Sequence, residues 1–220
     1  MKLFYFTGPQ FALENIRKRH LKVSFSTEVN DLFELMPFEF QSRNVRRAWR
    51  QAIEEHAKGQ GFISFTSSWA VPTMWAHYAQ NHTGLCYGFK MSGKSLIKIG
   101  YEENLKIFNE AAISEPTANL QEVTYASKTK SSHWTYEDEW RQYISLSRDE
   151  IAARANKQRT FQAFGDDLVL KEVIIGHRSE ITSEQVRAEL QSAESIDIYS
   201  ARPSFQEFKM VKQQNEKLRK

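Results

Sequence analysis

Short runs of aromatic and β-branched residues recur along the chain between stretches of helical spacing, and this recurrence narrows the fold more than any other feature. Leu3-Phe4-Tyr5-Phe6-Thr7 reads as a strand stopped by Gly8-Pro9. Residues 21–26 alternate apolar and polar side chains with the period of a half-buried strand, and the turn formers Asn30 and Asp31 follow. Residues 61–68, 84–89, 123–125, 134–146 and 167–176 read as further strands, the last a core strand by its Leu, Val and Ile content. Helical spacing marks residues 11–20, 42–58, 73–81 and 182–192; Val71-Pro72 opens the third of these, and Thr182 with Gln185 forms a capping box at the fourth. Neighbouring strands are often too close in sequence for parallel crossovers. The expected fold is therefore α+β, a single domain with a mostly antiparallel central sheet and flanking helices.

A chain of 220 residues suits one such core, which sets the expected domain at 1–208. Residues 209–220, with five Lys or Arg against one Glu, read as a solvated basic tail, and residues 94–119, polar and weakly periodic, read as peripheral. A content of 40% hydrophobic and 13% aromatic residues excludes a disordered chain. The formal charge of +3 permits nucleic acid without pointing to it. One concentration of charge stands out: Arg43, Arg46, Arg47 and Arg50 open the 42–58 helix, where positive charge opposes the macrodipole. Either they bind a nucleotide or nucleic acid, or Glu54, Glu55 and other carboxylates neutralise them. The one cysteine, Cys86, has no internal partner, no apolar run approaches the roughly 18 residues that span a membrane, and the first residues lack the pattern of a signal peptide. A cytoplasmic protein with no membrane partner is expected; the oligomeric state stays open.

Three clusters could carry chemistry. Met74, His77, Tyr78 and Asn81 share one helix face beside His82, and His77 is either an acid/base group or a core histidine bonded to backbone. On a strand, Glu137, Glu139 and Arg141 point one way while Tyr136, Asp138 and Trp140 point the other; two carboxylates so close repel and raise one pKa unless paired. That set is either a structural ion network or an acidic site with an anion clamp. The third cluster holds Tyr5, Thr7, Ser24, Ser26, Asn30 and Asp31. No metal is expected, since six His and one Cys fall at no recognised ligand spacing; a Gly-rich phosphate loop and a Gly-x-Ser-x-Gly elbow are also lacking.

At these clusters the chain resembles a bacterial family catalogued as domain of unknown function 2971. The resemblance runs over residues 3–180, through Leu3-Phe4-Tyr5-Phe6, Ser24-Phe25-Ser26, Asn30-Asp31, Phe33-Glu34, Phe65-Thr66-Ser67, Met74-Trp75-Ala76-His77-Tyr78 with His82 and Gly84, Val123-Thr124-Tyr125, Lys128, Trp134, Tyr136 to Arg141, and Glu172 to Gly176. Members usually carry Pro after the Asn-Asp pair, where this chain has Leu32. That family has no established activity, so the resemblance speaks to fold and site. The chain is also similar, more weakly, to the ADP-ribosyltransferase superfamily, with Tyr5-Phe6-Thr7, Ser64-Phe65-Thr66-Ser67 and Glu137-Asp138-Glu139 at its three strand motifs and Tyr5 where that pattern has His or Arg. This second resemblance implies an NAD-consuming transferase or NAD glycohydrolase, as in a toxin or phage-defence effector, with NAD as substrate. Glu139 would then bond the nicotinamide ribose and stabilise a cationic transition state, Glu137 would orient the acceptor, His77 would assist as acid or base, and Tyr78 would stack on nicotinamide. Tyr5, Thr7, Ser24, Asn30, Thr66 and Arg141 would complete the NAD-holding set. The competing expectation is a non-catalytic module that binds a nucleotide or nucleic acid.

Overall fold

The computed structural model describes residues 1–92, 96–190, 195–218 and 220. Among these, one eight-stranded sheet organises the chain: β1 (Lys2–Thr7), β2 (Gln60–Thr66), β3 (Leu85–Met91), β4 (Leu96–Lys98), β5 (Glu139–Ser145), β6 (Leu168–Ile175), β7 (Asp197–Pro203) and β8 (Met210–Lys212). Their spatial order is β8, β7, β6, β3, β1, β2, β5, β4. Neighbours are antiparallel throughout, except that β6 and β7 run parallel. The helices are α1 (Pro9–Lys18), α2 (Arg43–Gly59), α3 (Pro72–Tyr78), α4 (Pro116–Ser127), α5 (Arg148–Ala155) and α6 (Ser183–Glu189). The expected α+β class with a mostly antiparallel sheet is what the chain adopts, and none of these helices is long and apolar enough to cross a membrane.

The alternation of side chains divides the sheet into two unlike faces. On one, Leu3, Ile63, Phe65, Tyr87, Phe89 and Val173 pack under α1 and α6 into an apolar core. Each such fully buried side chain contributes about 1.5–3 kcal/mol. On the other face Phe4, Thr66 and Glu139 stand side by side in register across β1, β2 and β5, followed by Ser64 opposite Arg141. Two apolar clusters cover this second face in part: α3 brings Met74 and Trp75 onto Phe4 and Phe6, while α2 and α4 enclose Trp49, Phe38 and Phe108. Polar residues occupy the space between. Tight backbone contacts fix one end of the two central strands: a Cβ on Gly84 would collide with the Thr7 carbonyl oxygen, so only glycine fits where β1 and β3 close together.

Several expectations change. Residues 123–125 lie inside α4, because Ala118, Val123 and Ala126 pack against Phe108 and Ala112, and tertiary packing overrides β-branched propensity. The strand expected over 134–146 begins only at Glu139; before it, Ser132–Glu137 form a 3-10 turn that ends on Asp138 in the left-handed region, at φ 43°. Residues 21–26 pair only briefly, as His20–Lys22 with Phe161–Ala163 and as a single bridge from Ser24 to Phe62. Residues 96–119 are not peripheral: β4 closes one sheet edge, and Phe108, Ala112 and Ala118 are buried. The stretch after 209 is not a solvated tail, since β8 pairs with β7 and Met210 and Gln213 are buried. An edge strand takes its order from its partner's hydrogen bonds, so the sparse apolar content of 209–220 concealed it. The capping box at Thr182 and Gln185 is present; the helix's expected extension past Leu190 falls outside the described residues.

Candidate functional site

Between the two clusters, a pocket of about 170 Å³ opens over the centre of the sheet. Phe4, Phe6, Phe62, Met74 and Tyr78 wall it, and Ser24, Asn30, Asp31, Glu34, Ser64, Thr66, Lys130, Glu137, Glu139 and Arg141 supply its polar lining. Its polar core is a network of buried charges. Arg141, only 2% exposed, donates to Glu139 from Nε at 2.7 Å and from Nη2 at 3.2 Å, and to Glu34 from Nη1 at 2.6 Å and Nη2 at 2.9 Å. Its fifth N–H reaches the Tyr143 hydroxyl at 3.4 Å, and its plane lies over the Phe62 ring at 4.3 Å. With all five donors engaged, Arg141 is a fixed counter-ion and not the open anion clamp that its sequence context offered.

Lys130 approaches from the short strand Thr129–Ser131, its ammonium 2.6 Å from Glu137 and 3.2 Å from Glu139 and over the Trp134 ring. Glu139 also accepts from the Ser64 hydroxyl at 2.6 Å. Burial works against the Glu139 carboxylate, yet Arg141 and Lys130 outweigh burial and hold its pKa at about 2. Glu137 comes out the other way: burial raises its pKa, Lys130 offsets this only in part, and the neighbouring Glu139 charge adds to the rise. On its remaining side Glu137 accepts a hydrogen bond from the Tyr78 hydroxyl. Burial, and next the Glu137 charge, push the Tyr78 phenol far above its ordinary value, so Tyr78 stays a donor. Two adjacent carboxylates thus differ in kind. Their surroundings act in opposite directions, lowering the Glu139 pKa and raising that of Glu137.

The Glu137 and Glu139 side chains meet through a route that strand alternation does not describe. Glu137 closes the 3-10 turn, Asp138 turns the chain in the left-handed conformation, and Glu139 starts β5. Asp tolerates that conformation better than most residues. Its own carboxylate points away, to Lys98 and Ser67.

Of the residues expected at the site, Glu137, Glu139, Arg141, Tyr78, Ser24, Asn30 and Thr66 line this pocket. Tyr5 borders it from β1, but its ring lies on the opposite face, stacked 6.2 Å from Tyr87 and tilted against Phe65. Phe4 and Phe6 take the pocket side in its place. Thr7 is buried beyond the pocket, its hydroxyl 3.5 Å from Asn15 on α1. His77 is exposed, and its Nδ1 lies 2.9 Å from the Tyr136 hydroxyl. Met74 and Tyr78, four residues apart, face inward and turn His77 off the lining. Asp31, Glu34, Ser64 and Lys130 take part without having been assigned roles; Glu34 and Asp31 sat in quoted motifs, while Lys130 lies in a polar stretch that resembles a loop.

Arg43, Arg46, Arg47 and Arg50 stand exposed on α2, and none has a carboxylate partner among the described residues, so Glu54 and Glu55 do not neutralise them. Arg46 and Arg50 border a second groove, of about 310 Å³, lined by Leu32, Phe33, Phe38 and Phe40. Among the described residues no group of three or more His, Cys, Asp or Glu is arranged to hold a metal ion. No family model matches the chain, and no curated protein or solved structure matches it either, so the reading of its function stands on these residues.

Proposed function

We propose that the central pocket is an active site that cleaves an N-glycosidic bond, with NAD as the substrate, in the manner of the ADP-ribosyltransferases that the sequence resembles. The observation that carries this reading is the pair of buried glutamates, held by different partners, beneath an aromatic-walled pocket. In such a reaction the bond from the ribose C1′ to the ring nitrogen breaks and its electron pair leaves with neutral nicotinamide. The ribosyl cation left behind is stabilised by surplus negative charge in a pocket with low-dielectric walls. Water or an acceptor hydroxyl then adds to C1′ and gives its proton to Glu137, while Tyr78 and Lys130 hold that carboxylate in place.

The hydrogen bonding favours a different division of labour from the expected one. Glu139, engaged by Ser64, Lys130 and Arg141, acts as the fixed charge that orders the cations, and Glu137, held only by Tyr78 and Lys130, takes the proton. The test is release of nicotinamide from NAD by the purified protein, with Glu137→Gln as the paired variant. Removal of a general base lowers turnover by about 10²–10⁴. No release by wild type under any acceptor condition would end this reading.

The alternative, a module that binds a nucleotide or nucleic acid without chemistry, draws on the four exposed arginines of α2, two of which, Arg46 and Arg50, border the Phe33 and Phe40 groove. Phosphates would sit on the guanidinium groups and bases on the rings.

A further inference from the structure

The charges of the central pocket do not balance. Four carboxylates line it, those of Asp31, Glu34, Glu137 and Glu139, against two cations, Lys130 and Arg141. Both cations are already shared: Arg141 serves Glu34 and Glu139, and Lys130 serves Glu137 and Glu139. Asp31 receives neither. Its Oδ1 accepts the Phe33 backbone N–H at 2.9 Å, which closes the turn after Asn30, while Oδ2 is buried with no hydrogen-bond partner. Asp31 is 7% exposed and lines the pocket, so this oxygen is an acceptor removed from water and left unsatisfied by the protein. A buried acceptor in that condition is costly unless something else supplies the donor.

The remaining lining limits what that donor belongs to. Phe4, Phe6, Phe62 and Tyr78 offer ring faces and edges, which suit a flat ring. A volume of about 170 Å³ suits one six-membered ring with a small substituent, since a cavity of about 150 Å³ elsewhere admits benzene. An anionic group would meet surplus negative charge and, on Arg141, no spare donor.

We infer that the pocket selects a planar organic cation bearing N–H donors, and that Asp31 is the residue that reads its charge. This rests on the pocket being the functional site, as proposed above, but not on the glycosidic reaction. Phosphate or other anionic portions of a larger ligand then lie outside the pocket.

Three probes of one shape and different charge test the inference: benzamidinium, benzamide and benzoate, titrated calorimetrically into the intact chain at pH 7. Benzamidinium is expected to bind at least tenfold more tightly than benzamide, and benzoate to give no heat of binding. Asp31→Asn keeps the Oδ1 acceptor for the Phe33 N–H and removes the charge, so it should cut the preference for benzamidinium over benzamide about tenfold. Equal affinity for benzamidinium and benzamide in wild type overturns the inference without recourse to any variant. An unchanged preference in a folded Asp31→Asn protein overturns the role of Asp31. Benzamidinium binding without nicotinamide release from NAD keeps the cation site and removes the glycosidic reaction; nicotinamide release without charge discrimination does the reverse.

Discussion

The Glu139→Gln substitution separates the structural role of the ion network from its chemistry. The amide has the shape of a protonated Glu139, so the variant reports what the carboxylate charge is worth. In the folded chain burial opposes that charge, but Arg141 and Lys130 hold the carboxyl at about 2, against an ordinary 4.5. At about 1.4 kcal/mol per pH unit, this difference stabilises the fold by about 3 kcal/mol at pH 7. Because the folded value is depressed, the contribution is complete above the unfolded value and drains away as pH falls toward the folded one. The variant should therefore lie about 3 kcal/mol below wild type at pH 7 but only about 1 kcal/mol below it at pH 3. For a domain of this size the neutral-pH difference lowers the melting temperature by roughly 6–12 °C. Urea titrations followed by tryptophan fluorescence at pH 7, 5, 4 and 3 measure it. A gap that stays constant across that range, or one below about 1 kcal/mol at pH 7, would refute the assignment of Glu139 as the ionised partner of Arg141 and Lys130. Loss of activity in this variant alone would not mark Glu139 as catalytic, because the fold that holds Glu137 is weakened with it.

Glu137→Gln should behave in the opposite way. Burial raises the folded pKa of this carboxyl, so its ionisation costs stability above the unfolded value, and the amide should leave stability at pH 7 within about 1 kcal/mol of wild type or higher while lowering the turnover of NAD by about 10²–10⁴. Changing Arg46 and Arg50 together to Ala should leave the melting temperature unchanged, since both are exposed and unpaired; if α2 holds phosphates, the salt dependence of single-stranded DNA binding should flatten by about one unit of slope per lost contact, and equal slopes would remove nucleic acid from consideration. Gly84→Ala should prevent folding or cost more than about 3 kcal/mol, because the added Cβ meets the Thr7 backbone and not a movable side chain; a soluble variant with wild-type melting would show that β1 can shift away from β3.

Much of the sheet was legible because its strands are written in the residues they bury. Phe4, Phe6, Phe62, Phe65, Tyr87 and Val173 fall in short runs whose alternation or apolar density survives without knowledge of partners. The misread segments fail for one shared reason. Met210 gains its strand from β7, and Val123 gains its helix from Phe108 and Trp49, so each takes its form from a neighbour distant in sequence. The site divides in the same way. Glu137, Glu139 and Arg141 were visible as charges among aromatic residues, but Glu34, which meets Arg141 across 107 positions of sequence, and Lys130, from an unremarkable polar stretch, become site residues only when the fold brings them together.

The glutamate pair carries a sharper lesson. Alternation on a strand placed Glu137 and Glu139 on one face, and they do meet, yet Glu137 is not in a strand. Two residues on an ideal strand at that spacing would present parallel carboxylates in like surroundings, and their pKa values would separate only through mutual repulsion. The left-handed turn at Asp138 instead gives each its own partners: Glu139 goes into β5 beneath Ser64 and Arg141, and Glu137 stays on the turn against Tyr78. Lys130 is the one donor they share. The asymmetry that lowers the pKa of one carboxyl and raises that of the other therefore goes with a single residue leaving the β region. A spacing rule registers that the two glutamates are close, but the difference between them arises from the φ of the residue in between.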